Sequence, residues 1–179
     1  MRHPLLWVCG IVLAALPATS AEVTRTLRAE LSGSPAADFA VENLAGTMKV
    51  TAADIATVEV VATVHAESAR LADAVEIRQV SGKEGVPTLR VIYPFGGGRT
   101  IRYPHGGGSS TVEYDGSRIK VRRDGGREVW ADVEVRVPRS KVSGTFRNLV
   151  GFLDAEGIEG SILLDTSSGD IAARDVAGR

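Results

Sequence analysis

Gly151-Phe152-Leu153-Asp154-Ala155-Glu156-Gly157-Ile158-Glu159-Gly160-Ser161-Ile162-Leu163-Leu164-Asp165-Thr166-Ser167-Ser168-Gly169-Asp170-Ile171-Ala172-Ala173-Arg174-Asp175-Val176-Ala177-Gly178 holds glycine at 151, 160, 169 and 178, nine residues apart each time. Within an eighteen-residue frame, apolar residues stand two and four places after glycine (Leu153 and Ala155, then Ile171 and Ala173). Another stands two places before the next glycine of that frame, at Ile158 and Val176. A fixed short period marks strands stacked along an axis. Nine residues suit a strand of four or five and a turn, so two units would form one rung with small and aliphatic side chains facing in.

Working outward, a second signature marks the corners of the repeat: Asn43-Leu44-Ala45-Gly46, Asn148-Leu149-Val150-Gly151, Gly157-Ile158-Glu159-Gly160 and Asp175-Val176-Ala177-Gly178. Each opens on a residue that tolerates left-handed backbone angles, is expected to bury one aliphatic and ends on glycine, which reads as a turn. Met48 and Val50 follow Gly46 as Leu153 and Ala155 follow Gly151, so residues 39–51 read as a further copy. The expected core is Val41, Leu44, Leu149, Leu153, Ile158, Ile162, Leu164, Ile171 and Val176.

Between these copies the period is lost and plain alternation remains. Val58, Val60, Ala62 and Val64, then Leu89, Val91 and Tyr93, then Ile119 and Val121, then Val133, Val135 and Val137 all read as half-buried strands, the last stopped by Pro138. Residues 67–73 read as one or two helical turns. Two glycine clusters, 96–98 and 106–108, flank Arg99 to Pro104 and predict a glycine-rich loop excursion from the scaffold.

Composition agrees with an all-β chain. Valine, isoleucine and threonine number 43 of 179 residues, while aromatic residues make up 5%. Residues 1–21 read as a signal peptide: Arg2 and His3, the apolar run Leu5 to Leu16, Pro17, and small residues up to Ala21. Export is expected, to the periplasm or the cell surface, with residues 22–179 as one domain. The run is too short to span a bilayer, which takes about 20 residues, so no transmembrane helix is expected in the mature chain. Cys9, the one cysteine, lies in that leader and leaves no thiol for a disulfide or metal.

The formal net charge of −1 exerts no general pull on nucleic acid or anionic membrane. The charge is uneven, however: 11 basic and 6 acidic residues lie between Arg99 and Arg147. Arg99, Arg102 and Tyr103, with Arg118, Lys120 and Arg122 on a neighbouring strand, form the one candidate ligand surface, suited to a polyanion or a sugar polymer. Edge protection by charge would call for the same cations. His65 and His105 offer no nucleophile–base–orienter set, and no His or Cys pair has zinc-ligand spacing. The glycine clusters lack the lysine and helix start of a phosphate loop. Asp154, Asp165, Asp170 and Asp175 occupy no single phase of the repeat, unlike calcium-binding nonapeptide repeats. No catalytic residue, cofactor or metal is expected.

The leader, the opening Phe39-Ala40-Val41-Glu42-Asn43-Leu44-Ala45-Gly46, the strand Val133 to Pro138 and the run Gly160 to Ile171 together resemble the bacterial putative-adhesin domain of unknown function, a family of exported β-strand-repeat proteins. The resemblance covers about residues 23 to 179. It implies a right-handed β-solenoid, similar to a single-stranded β-helix, with no catalytic residues to carry over. The expected function is that of a non-enzymatic adhesin or interaction scaffold of the cell envelope. Its partner would be an envelope protein or a polysaccharide. The competing class is a carbohydrate-binding or carbohydrate-active β-helix protein, whose mark would be a carboxylate pair facing a groove lined by Tyr93, Tyr103, Tyr114 or Trp130. Gly178 falls one residue before Arg179. The chain is therefore expected to be a piece of a longer repeat protein or, if it ends there, to self-associate through its last strand.

Overall fold

The computed structural model describes residues 22–178 except 33, 35, 36 and 97; the expected signal peptide lies outside the described residues. In chain order the strands are β1 (Val23–Glu30), β2 (Phe39–Ala53), β3 (Glu59–Ala66), β4 (Glu76–Ser81), β5 (Pro87–Ile92), β6 (Thr100–Arg102), β7 (Ser109–Tyr114), β8 (Ser117–Arg122), β9 (Arg127–Pro138), β10 (Val142–Glu156), β11 (Gly160–Asp165) and β12 (Ser168–Arg174). Alternation works as expected along most of them: in β3 every second side chain is buried, and in β8 Ile119 and Val121 point inward while their neighbours face solvent.

A short helix, α1 (Ala69–Asp73), follows β3 within the stretch expected to be helical. Ser68 caps its start by accepting the Leu71 N–H, and Leu71 and Ala72 are its buried face. Arg25 on β1 closes the other end, its guanidinium donating to the carbonyls of Ala72, Asp73 and Val75 at 3.2, 2.9 and 3.2 Å. A cation there answers both the orphan carbonyls and the negative end of the helix dipole.

The chain is not a β-solenoid. Its strands form one twelve-stranded mixed sheet. β9, β2, β10 and β11 lie side by side in parallel, whereas β1 with β3, β3 with β9, β4 with β5 and β7 with β8 are antiparallel. The partners of β2 come from far along the chain, 85 residues away on β9 and 105 away on β10. The eighteen-residue spacing governs the C-terminal part alone, β10 with β11 and β12, where Phe146 meets Leu164 and Leu153 meets Ile171, and the parallel bridge of Glu159 with Ala177. The long insertion between β2 and β9 is built of hairpins and crossovers, which carry strand alternation without a repeat.

The expected glycine-rich excursion is corrected too. Thr100–Arg102 is β6, parallel to β8 and to the start of β9, and Ile101 and Tyr103 are buried. An apolar side chain at each of these positions gives the segment reason to dock against the sheet.

The expected turns at Asn43 and Asn148 lie inside the continuous strands β2 and β10. Asn43 and Asn148 are fully buried and stacked, the Asn43 amide donating to Asn148 Oδ1 at 3.0 Å and to the Ala131 carbonyl at 2.8 Å. Asn148 donates in turn to the carbonyls of Gly46 at 2.8 Å and Phe152 at 3.0 Å, and the Tyr93 hydroxyl donates to Asn43 Oδ1 at 2.7 Å. Side-chain amides thus satisfy backbone carbonyls of β2, β9 and β10 at this level of the sheet.

Glycine follows for a geometric reason. Gly46 and Gly151 have φ of 128° and 124°, and a Cβ on Gly151 would overlap the Gly46 carbonyl oxygen, as one on Gly46 would overlap that of Ala131. Gly151→Ala is therefore expected to lower stability by more than about 3 kcal/mol, combining backbone strain with displacement of a packed strand. Gly116→Ala, at φ 67° with open space around it, should cost only about 1–2 kcal/mol. Urea unfolding of the two variants checks the difference; equal losses would contradict the close approach.

Candidate interaction faces

β6 and β8 bring most of the sequence-marked cations together. Their parallel register sets Thr100 beside Lys120 and Arg102 beside Arg122, and it is extended by Lys120 N–H to Arg99 O and Tyr103 N–H to Arg122 O, both at 2.8 Å. Arg118, Lys120 and Arg122 alternate along the exposed side of β8, opposite Glu113, Thr111 and Ser109 of β7. Among the described residues none of the three has an ion-pair partner. Arg102 differs, being paired with Glu128, and Arg99 is exposed in the segment before β6. Tyr103 does not join this face: it is buried, 6.0 Å from Trp130 between ring centres.

A second charged face is self-satisfied. Across β5, β2, β10 and β11, Arg90, Glu42, Arg147 and Asp165 occupy neighbouring strands, with Asp115 at one end. Arg90 lies 2.6 Å from Glu42 and 2.8 Å from Asp115, and Arg147 lies 2.7 Å from Asp165 and 3.5 Å from Glu42. The signs alternate along the row. A shallow cleft of about 420 Å³ opens over these groups, with Tyr114 and Ser167 on its walls. Its cations already have carboxylate partners, so it offers an incoming anion little.

The third feature is the edge of the sheet. On the inner face Met48, Leu153 and Ile171 stand in register on β2, β10 and β12; the first two are fully buried while Ile171 is 44% exposed. Ile162 and Leu164 on β11 are only half-buried, and Val176 is 37% exposed. Of the nine expected core positions, Val41, Leu44, Leu149, Leu153 and Ile158 are buried, and the four in the last repeat are not. No strand among the described residues lies beyond β11 or β12 to cover them.

His65 sits in a contact that spacing did not reveal. Its ring stacks on Trp130 at 4.9 Å and 3°, Nδ1 is 2.6 Å from the Glu22 carboxylate, and Nε2 is 3.3 Å from Asp132 Oδ2. Asp132 meanwhile accepts from the Thr47 backbone N–H and hydroxyl, both at 2.8 Å. The antiparallel register of β3 and β9 places His65 opposite Trp130, a pairing no local pattern encodes.

Of the aromatics expected as walls of a sugar groove, only Tyr114 reaches the cleft over Glu42 and Asp165, and all four are core residues. Tyr93, Tyr103, Tyr114 and Trp130 are buried, and the Tyr114 hydroxyl donates to the Val91 carbonyl at 2.7 Å. Burial raises the Tyr93 phenol above its ordinary pKa, helped by the Asp132 charge. Burial likewise raises Tyr114, with Tyr93 and Glu42 adding to the effect.

No family model matches the chain, and no curated protein matches it. Two solved structures do. A putative cell adhesion protein from Clostridium sporogenes is 10% identical with a TM-score of 0.37, the match covering 88% of this chain and 68% of that one. A putative adhesin from Parabacteroides merdae is 10% identical with a TM-score of 0.33, covering 84% of this chain and 55% of that one.

The buried phenols generate a pH prediction. The unfolded chain releases these protons near pH 10, before the folded chain does. Stability is therefore full below about pH 10 and falls above it, by about 1.4 kcal/mol per pH unit for each such phenol. Urea midpoints measured from pH 8 to pH 12 should fall beyond about pH 10, and less steeply in Tyr93→Phe. A midpoint unchanged through that range would contradict the burial of both hydroxyls.

Proposed function

We propose that the chain is a non-enzymatic, adhesin-like binding protein of the cell envelope that holds an acidic polysaccharide against the exposed face of β8. The observation that carries the reading is the row Arg118, Lys120 and Arg122, exposed and without ion-pair partners among the described residues. Successive members stand about 6.8 Å apart, two residues of extended chain. A linear polymer with regularly spaced carboxylate, sulfate or phosphate groups can follow such a row. Thr111 and Ser109 beside it add hydroxyls for sugar oxygens.

Nucleic acid fits less well. The row is narrow, Glu113 flanks it, and the chain as a whole carries a net charge of −1, so there is no broad positive field. Export is the role of the expected leader at residues 1–21. No helix among the described residues is long and apolar enough to cross a membrane. An enzymatic reading has less support, since in the cleft that Tyr114 lines the carboxylates of Glu42, Asp115 and Asp165 are already paired with Arg90 and Arg147.

The test is binding to a sulfated and to a phosphate-bearing polysaccharide at low ionic strength. Binding should weaken steeply with added salt, because screening shortens the reach of exposed charges. Substituting Arg118, Lys120 and Arg122 together by Gln should reduce affinity at least tenfold. Stability should change by no more than about 0.5 kcal/mol at each position, as for exposed residues generally. Equal binding by the triple variant, or no binding by the parent chain to either polymer, would overturn the assignment.

A further inference from the structure

We infer that β12 is an isologous docking strand through which two copies of this chain pair antiparallel, centred on Ala172. The strand has β10 on one side and, among the described residues, no strand on the other. It lacks the usual protection of an edge: Ser168-Gly169-Asp170-Ile171-Ala172-Ala173-Arg174 contains no proline and no lysine, and its single acid and single base cancel. β1, by contrast, carries Arg25, Arg28 and Glu30.

The faces of β12 determine the symmetry. Ile171 and Ala173 continue the apolar side, in register with Leu153 and Ala155, while Asp170, Ala172 and Arg174 lie on the other side. A two-fold axis along the strand would set the apolar side of one copy beside the polar side of the next. An axis normal to the sheet keeps both apolar sides together, and it makes the strands antiparallel.

Charge then selects the register. Preserving the faces requires the axis to pass through a residue of β12. An axis through Asp170 would oppose two carboxylates, and one through Arg174 two guanidinium groups. Centring on Ile171 pairs Asp170 with Ala172, and centring on Ala173 pairs Arg174 with Ala172; neither matches the charges. Centring on Ala172 sets Asp170 of each copy opposite Arg174 of the other and places Ile171 beside Ala173. Asp170 has no ion pair within its own chain among the described residues. The Arg174 side chain, 2.8 Å from Asp154, is 54% exposed and can reach a second carboxylate. Because both copies use the same edge, the assembly closes at two and covers the Ile171 side chains.

Sedimentation of the purified chain across a concentration series tests this. The parent chain should show a concentration-dependent dimer, Asp170→Arg should be monomeric, and the double variant Asp170→Arg with Arg174→Asp should recover the dimer. Arg174→Asp also faces Asp154 and Glu156, so a cross-link provides a second measurement that leaves the charges intact. Residues meeting at the axis have Cα atoms about 4.5–5.5 Å apart, within disulfide range. Ala172→Cys, with Cys9 replaced by Ala, should form a disulfide-linked dimer on oxidation, whereas Ser161→Cys should not. A parent chain monomeric at every concentration would overturn the inference. So would a dimer unaffected by Asp170→Arg, or cross-linking equal at positions 161 and 172. None of these readouts involves polysaccharide, so failure here is distinct from failure of the β8 assignment.

Discussion

The structure turns on a stack of two buried asparagines and the glycines that follow them. Asn43 and Asn148, both fully buried, supply hydrogen bonds to the carbonyls of Ala131, Gly46 and Phe152. Gly46 and Gly151 provide space for the neighbouring carbonyl oxygen where any Cβ would collide. An amide left without its partner there would cost about 1–3 kcal/mol. Together these groups fix β2, β9 and β10 in one register, although the strands come from distant parts of the chain.

That register propagates to both faces. Inside, it aligns Met48 with Leu153 and Val41 with Phe146, so each strand buries the next. Outside, it aligns Glu42 with Arg147, and β11 continues the row with Asp165. A slip by one residue would send the aliphatics to solvent and the charges to the core. Among the described residues, the cations of β8 face solvent without carboxylate partners, and no strand covers the inner face at β12.

Much of the architecture was legible where a single residue type answers a single geometric need. The glycines at 151, 160 and 169 showed the parallel stacking of β10 with β11 and β12, since only glycine tolerates a carbonyl in the place of its Cβ. The alternation of Val133, Val135 and Val137 identified a strand but not its neighbours, because it reads the same beside β2, β3 or a solenoid rung. The solenoid expectation extended a local repeat to the whole chain. Repeat position likewise assigned Ile171 and Val176 to the inner face without telling whether anything covers that face. At the candidate site, i, i+2 spacing was enough to place Arg118, Lys120 and Arg122 on one side of β8. Tyr103, between two glycine clusters, read as a loop residue, and its burial depends on Trp130, which only the folded chain brings to it.

The most direct test of the asparagine stack is a double-mutant cycle on Asn43 and Asn148, each replaced by Ala singly and together, with stability measured by urea unfolding. If the two amides act as one buried unit, the losses will be non-additive, with a coupling of about 0.5–3 kcal/mol, the range for residues sharing a hydrogen-bond network. Strict additivity, or a loss below about 0.5 kcal/mol for either single variant, would contradict the account and move the origin of the register elsewhere in the sheet.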